Sequence, residues 1–538
     1  MSLLRRQPGL LLLAVAFVAS CYWVFTRSTP IVAQRPVTIR LAHWQIERGP
    51  PEGIAAAIRR YEELNPRVKV EQQLIPGPIY RQWLRSNLAG DNGPDIIEWG
   101  AWVEGHRDLP ARYFAPITAE LAKPNPYNRG TSQEHIPWEK TFHDGLIGPK
   151  RDSPDPGQIY AVTLTETTVR LYVNATLLRA ITGSDAAPRT FDDLRRIFAL
   201  TRRYAARTGQ HVSALAGSRD NGRTLAETVF AGPLLGLDQR LDDDGYLYLY
   251  NRKVLAAYLA GRWNYHHPNV TAGLTLVREV AQAMKPGFLQ LRRDDAMLEF
   301  FRGEALALFY GTWDATTLRQ MVPFEMLIMK LPAVTPDDPE VGRYVSGPLG
   351  EGQGETSVAL YLNKTTAHRE EVIDFLRFLT SVPGNQLFTD HSLWLPAING
   401  VKVPEAIKGF RDYSVGYAFG QAPYDALGSN VGMVWDRDFY HLTGDQGSVE
   451  QFAAALDRDM PVAIRADLKE DVRNTLLLVK PQDTVIIGQA NLAAASSDGE
   501  KYRRRQAEVE TSQTMSEGIL YQTRRALDAA KERGVQPR

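Results

Sequence analysis

The feature that most limits how this chain can fold is a repeated switch between two hydrophobic periods over residues 37–99. Val37, Ile39 and Leu41 alternate with their neighbours as in a strand; Ile54, Ala57, Ile58, Tyr61 and Leu64 then recur at helical spacing. That helix stops at Asn65-Pro66, because a residue preceding proline avoids the helical conformation. Val68 to Ile75 is strand-like, Pro76-Gly77-Pro78 punctuates it, and Ile79 to Ala89 is helical. Asp95 to Trp99 follows Gly93-Pro94 as a third strand. Strands and helices in this order, joined by short connections, demand parallel strands with right-handed crossovers. The expectation is a doubly wound α/β lobe.

A second α/β set follows, and 538 residues are too many for one ordinary core. Ile159–Leu164, Val212–Leu215, Ala305–Tyr310, Phe324–Met329 and Thr356–Leu362 have strand character. Phe191–Tyr204 and Lys253–Trp263 read as helices, as does the stretch in which Val372, Phe375, Leu376 and Leu379 share a face. The fold class is therefore α/β with two doubly wound lobes. The first takes 37–163 plus about 355–395, and the second about 164–354 plus 396–475. From about 476 to 538 the chain becomes a mostly helical extension, with a polar helix from about Asp498 to Lys531.

Composition narrows the function. A hydrophobic share of 44% and a charged share of 23% belong to a globular protein. A formal net charge of zero argues against nucleic-acid binding by phosphate neutralisation. One cysteine permits no internal disulfide. That residue, Cys21, ends an export-type segment: Arg5-Arg6, the apolar run Gly9–Val18, then Val18-Ala19-Ser20-Cys21, which resembles the lipobox of bacterial lipoproteins. Residues 1–21 are read as a signal peptide with lipobox and 22–36 as a tether. Acylation of Cys21 would then anchor the chain lastingly. The alternative is an uncleaved signal anchor, since Tyr22 to Phe25 prolong the apolar run to about 17 residues, barely enough to span a bilayer. Both readings place the bulk of the chain outside the cytoplasmic membrane.

In an open parallel sheet, ligands bind beyond the carboxyl ends of the strands. For the first lobe this selects Trp44 to Arg48 and Trp99 to Glu104. Trp44 stands with Glu47 and Arg48, and Trp99 with Glu98, Trp102 and Glu104. Indole faces cover the apolar faces of sugars, while carboxylates and guanidinium groups serve their hydroxyls. Any single tryptophan among these is more simply a core residue. Asp242-Asp243-Asp244-Gly245 lacks the ligand spacing of a calcium loop and reads as a turn. His266-His267 lacks companion ligands, so no metal site and no cofactor are expected. Glu98 and Glu104 lie six residues apart on one loop, which defines no glycosidase pair across a scissile bond. Neither a G-x-S-x-G element nor a phosphate loop is present, and no catalytic residue is nominated.

Six motifs in order carry a resemblance over residues 37 to about 400. They are Tyr61-Glu62-Glu63 with Asn65-Pro66; Gly90-Asp91-Asn92-Gly93-Pro94-Asp95-Ile96-Ile97-Glu98-Trp99; Leu171-Tyr172-Val173-Asn174; Pro188-Arg189-Thr190-Phe191; Phe301-Arg302-Gly303-Glu304 with Gly311-Thr312-Trp313-Asp314; and Phe375-Leu376 with Leu395-Pro396-Ala397. The chain resembles family 1 of the extracellular solute-binding proteins of ABC importers, of the maltose-binding, oligosaccharide type. The resemblance implies a periplasmic-binding-protein-like fold, in which hinge crossovers join two lobes that close on a ligand. It nominates Trp313 with Asp314, Glu47 and Arg48 beside Trp44, Trp99, Glu166 before the Leu171 motif, and Trp435. Trp102 and Trp394 depart from the family pattern and are candidate cleft residues. The implied function is capture of a carbohydrate by a monomeric, non-enzymatic protein that delivers it to membrane permease subunits. The alternatives are an exported carbohydrate-active enzyme and a ligand-sensing envelope receptor.

Overall fold

The structure, a computed structural model, describes residues 16–20, 22, 37–100, 108–151, 153–154, 157–243, 245, 249, 251–347, 349–350, 356–411, 413, 416, 429–444 and 446–532. Cys21, Trp102 and Glu104 lie outside them. Among the described residues no helix is long and apolar enough to cross a membrane.

The first part of the chain runs β1 (Val37–His43), α1 (Pro50–Leu64), β2 (Val68–Leu74), α2 (Gly77–Ala89), β3 (Ile96–Glu98), β4 (Phe114–Ala115) and β5 (Ala161–Glu166). There follow β6 (Val169–Asn174), α3 (Phe191–Thr208), β7 (Ser213–Ala216), α4 (Arg219–Leu241), α5 (Asn251–Leu259) and α6 (Pro268–Gln282). Next come α7 (Arg293–Phe301), β8 (Ala305–Gly311), α8 (Ala315–Met321), β9 (Met326–Met329), β10 (Thr356–Asn363), α9 (Arg369–Leu379), α10 (Val382–Ser392) and β11 (Leu395–Pro396). The last are α11 (Ser429–Asp438), α12 (Val449–Ala495) and α13 (Gly499–Glu532).

Two sheets result. The first has the order β11-β5-β10-β3-β1-β2, with β4 also on β10. Its β2-β1-β3 part is parallel, as the alternation of periods requires, whereas β10 runs antiparallel to both β3 and β5. The second sheet has the order β7-β8-β6-β9, and only β7 and β8 are parallel. The antiparallel pairs arise where the chain returns from the other sheet instead of crossing over through a helix. It passes from the first sheet to the second between Glu166 and Val169, returns between Met329 and Thr356, and leaves after Pro396.

Both sheets are covered on both faces. Leu41, Ile96 and Leu360 point into one apolar layer, with α1, α9 and α10, while Ala42, Ile97 and Tyr361 point into another with α2. In the second sheet Leu171 and Val173 oppose Tyr172 in the same way. Helix α1 buries Ile54, Ala57, Ile58 and Tyr61 as its periodicity predicts, but Leu64 at its end is 47% exposed. Helix α12 is 47 residues long, roughly 70 Å. Its first turns bury Phe452, Leu456, Met460 and Ile464 in the second sheet's main core, and α13 then runs back along it.

Candidate ligand-binding junction

The loop after β1 supplies the first-lobe side of the site. It ends at Gly49, whose φ of +114° is strained for any side chain and whose Cβ would sit 2.5 Å from the Ser392 carbonyl oxygen. Glycine at this point lets the chain turn into α1 against α10. Glu47 and Arg48 are thereby held at the edge of the lobe.

Across from them, β8 ends at Gly311, where an added Cβ would lie 2.2 Å from the Trp313 ring. The missing side chain is what allows the indole to lie against the strand end. Trp313 is half-buried and packs on the core of the first lobe, although it belongs to a second-lobe loop. Asp314 is 2% exposed and both its oxygens accept from Arg293, at the start of α7. Arg293 also lies over the Tyr310 ring, 5.3 Å from its centroid.

Three contacts join the two sides. Glu47 Oε1 is 3.8 Å from Arg293 Nη1, and Arg48 Nη1 donates to Gln320 Oε1 at 2.6 Å. Thr316 Oγ1 donates to the Ser392 carbonyl at 2.7 Å. Helix α8 therefore provides two of the second lobe's contacts. Within the second lobe, the Thr312 amide donates to the Thr168 carbonyl at 2.9 Å and extends the β6–β8 ladder past Val169 and Gly311. Two polar atoms at the junction are buried without a partner: Glu47 Oε2 and Arg293 Nε. Such groups are uncommon in folded proteins and each calls for an explanation.

Behind Glu47, Glu98 is fully buried and accepts from the Trp44 amide at 3.0 Å and Gln45 Nε2 at 2.5 Å. Burial pushes its carboxyl up to about 8, against those two hydrogen bonds, and Glu47 adds to the rise. Trp44 is half-buried and edge-on to Tyr80, with ring centroids 5.0 Å apart. Burial likewise raises the Asp314 carboxyl to about 6, with Arg293 pulling the other way.

The remaining candidates divide. Glu166, the last residue of β5, is 3% exposed and accepts from Tyr413 Oη at 2.9 Å. It lies two residues before Thr168, so it borders the crossing tied to Thr312. Trp99 is 1% exposed in the layer that contains Tyr80 and Tyr361. Trp394, also 1% exposed, packs in the other core layer of the first sheet, and its Nε1 has no partner. Trp435 lies on α11 among Phe230, Phe439 and Phe452, with centroids 4.9–6.1 Å away, in the second lobe's core. The structure does not bring Trp435 to the junction. Conversely, Arg293, Gln320, Gln45 and Tyr413 belong to the site or its border without having been singled out in the sequence. Among the described residues no group of three or more His, Cys, Asp or Glu is arranged to hold a metal ion.

A family model described as bacterial extracellular solute-binding protein matches residues 56–409, from within α1 through both sheets. The chain belongs to that family. Solved structures share the fold of this solute-binding protein. RafE from Streptococcus pneumoniae, in its apo form, aligns with a TM-score of 0.54 and 17% identity, over 79% of this chain and 98% of its own. A probable secreted solute-binding lipoprotein from Streptomyces coelicolor aligns with a TM-score of 0.54 and 15% identity, over 79% and 99%. A chitin oligosaccharide binding protein aligns with a TM-score of 0.52 and 16% identity, over 79% and 98%. At these identities the likeness is one of fold. Among curated proteins none matches this solute-binding protein in sequence. The family match stops short of α11, α12 and α13.

Proposed function

We propose that this solute-binding protein captures a carbohydrate, an oligosaccharide, between its lobes and hands it unchanged to the permease subunits of an ATP-driven importer. One observation carries the reading. Half-buried Trp313 of the second lobe lies against the first lobe's core, while Glu47 and Arg48 of the first lobe meet Arg293 and Gln320 of the second. Indole faces suit the C–H faces of a sugar ring, and the buried, unpartnered Glu47 Oε2 is an acceptor for a hydroxyl. Two of the fold's relatives are described with saccharides in the same sense, one as a chitin oligosaccharide binding protein and RafE in complex with raffinose.

The proposed ligand set is Trp44, Glu47, Arg48, Trp313 and Asp314, with Arg293 and Gln320 added and Glu166 at its border. Trp99 and Trp394 serve as buried support for it. The lobes take the limits read from the sequence, with the extension from about 476 onward attached to the second. The protein acts as a monomer outside the cytoplasmic membrane, held there by acyl chains on Cys21 or by an uncleaved anchor.

A thermal-shift screen of the protein lacking residues 1–36 against an oligosaccharide panel tests the reading. A true ligand binds the folded state alone and raises the melting temperature with concentration. Trp44→Ala and Trp313→Ala should each abolish that rise, and the glycan should be recovered intact. A shift that survives both substitutions would refute the site, and a cleaved glycan would favour the enzyme instead.

A further inference from the structure

Past the second lobe, the C-terminal helices form a hairpin of their own. Among the described residues Leu468 is the last of α12 in that lobe's main core, and roughly 40 Å of the helix lies beyond it, with α13 folded back alongside. Residues 484–497, which lead up to the turn, carry no charged side chain. A helix that projects into water ordinarily presents charge on its free side. On α12, Val485 and Leu492 are instead 42% and 46% exposed.

Cations stand beside these two. Lys501, Arg504 and Arg505, at positions i, i+3 and i+4 of α13, line one shallow groove with Tyr502 and with Gln489 of α12. Val485 precedes Gln489 by four residues and Leu492 follows it by three, so both flank it on the same side of α12. Arg503 falls outside the groove and pairs with Glu500. Glu508 follows Arg504 by one turn, so by position this face holds three cations to one acid. Cations and aliphatic side chains around a tyrosine match the depth profile of a lipid surface, where anionic headgroups overlie acyl chains and aromatic rings settle between them. An acidic protein surface would satisfy the cations but set Val485 and Leu492 against its charges. A bilayer is also at hand for a chain whose N-terminal part carries the apolar run Gly9–Val18.

We propose that this face of the hairpin docks on a bilayer containing anionic phospholipid, with Lys501, Arg504 and Arg505 on the headgroups and Val485 and Leu492 beneath them. The docking rests on the membrane attachment proposed above for the bilayer's nearness, and not on the carbohydrate reading.

The test uses the full chain reconstituted into vesicles of phosphatidylcholine, with or without about 30% phosphatidylglycerol. A polarity-sensitive fluorophore is placed on Leu492→Cys, and the parent chain taken through the same labelling reports any signal from Cys21. Emission from position 492 should shift to the blue in the anionic vesicles and keep its aqueous value in phosphatidylcholine. A fluorophore on Ile487→Cys, two residues from Gln489 and so across the helix from it, should stay aqueous in both. Each cation near the surface counts for about fivefold in the docking equilibrium, so Lys501→Gln with Arg504→Gln should weaken it about twenty-five-fold and remove the shift. Both residues are exposed, so this double variant should keep the parent melting temperature. Flotation with phosphatidylcholine vesicles reads the attachment separately. If the chain stays behind there, that attachment fails, and the docking is read as flotation with the anionic vesicles, expected of the parent and not of the double variant. The proposal is overturned if emission from position 492 is the same in both vesicles, if the shift survives the double substitution, or if position 487 shifts as far. A shift that follows protein density in phosphatidylcholine alone would mean that a second copy covers the face, and would also overturn it.

Discussion

Asp314 illustrates how much a single residue's surroundings decide here. Its carboxylate is almost wholly buried and has one strong partner, the Arg293 guanidinium. Arg293 itself is about one-third exposed, so Arg293→Ala, which leaves Asp314 buried without its partner, should lower the unfolding free energy by about 1–2 kcal/mol in urea titrations. Glu98 gives a pH test. Its ordinary value is 4.5 and its folded value about 8, so between these the folded state holds a proton that the unfolded state has lost. Stability from this group is complete below 4.5 and drains away as pH rises toward 8. Melting temperatures measured from pH 5 to 9 should therefore fall less steeply in Glu98→Gln than in the parent. Gly311→Ala should displace the Trp313 indole and weaken ligand binding by about tenfold or more, measured by calorimetry. Of these residues, Trp313, Glu47 and Arg48 were legible in the sequence, through a motif and through the strand-end rule. Arg293 and Gln320 were not, because an arginine or glutamine on a helix is indistinguishable from a solvated one until its neighbours are known. The sequence points Trp435 toward the ligand for the converse reason: exposure of an indole is a tertiary property.

At the scale of elements, the parallel β1–β3 unit follows directly from alternating periods and proline breaks. Of the C-terminal helices, α13 lies within a residue of the polar helix read from the sequence, and α12 is the less legible. Pro461 and Pro481 both lie inside α12, where proline normally ends a helix, and position 476 falls within its unbroken run. Packing onto the second lobe's core and onto α13 carries the helix through. Helix α13 packs along α12 and α5, and the Asp471 carboxylate of α12 holds Arg252 of α5 through bonds of 3.0 Å. Ending the chain after Ser496 should lower the melting temperature while leaving carbohydrate affinity within about twofold, since no junction residue lies on α13. At the start of α3, Thr190 Oγ1 accepts from the Asp193 amide at 3.1 Å and Asp193 returns a bond to the Thr190 amide. Thr190→Ala should cost about 1 kcal/mol in urea titrations.

The whole molecule is held together across the junction by side chains of unequal weight. The exposed Arg48–Gln320 bond is worth under about 1 kcal/mol, so Gln320→Ala should speed ligand release by no more than about fivefold in stopped-flow measurements. Glu47→Ala, which also removes a buried acceptor, should cost more. The position of β10 has a further consequence, for the order in which the protein can come into being. This strand lies in the middle of the first sheet, between β3 and β5, yet it begins at Thr356. As the chain leaves the ribosome, the strands of its first 166 residues have no central neighbour until nearly two hundred more residues have been made. Pairing over such sequence separations is slow. For a chain that threads a channel unfolded, a keystone strand that arrives this late keeps the sheet pliable during the passage.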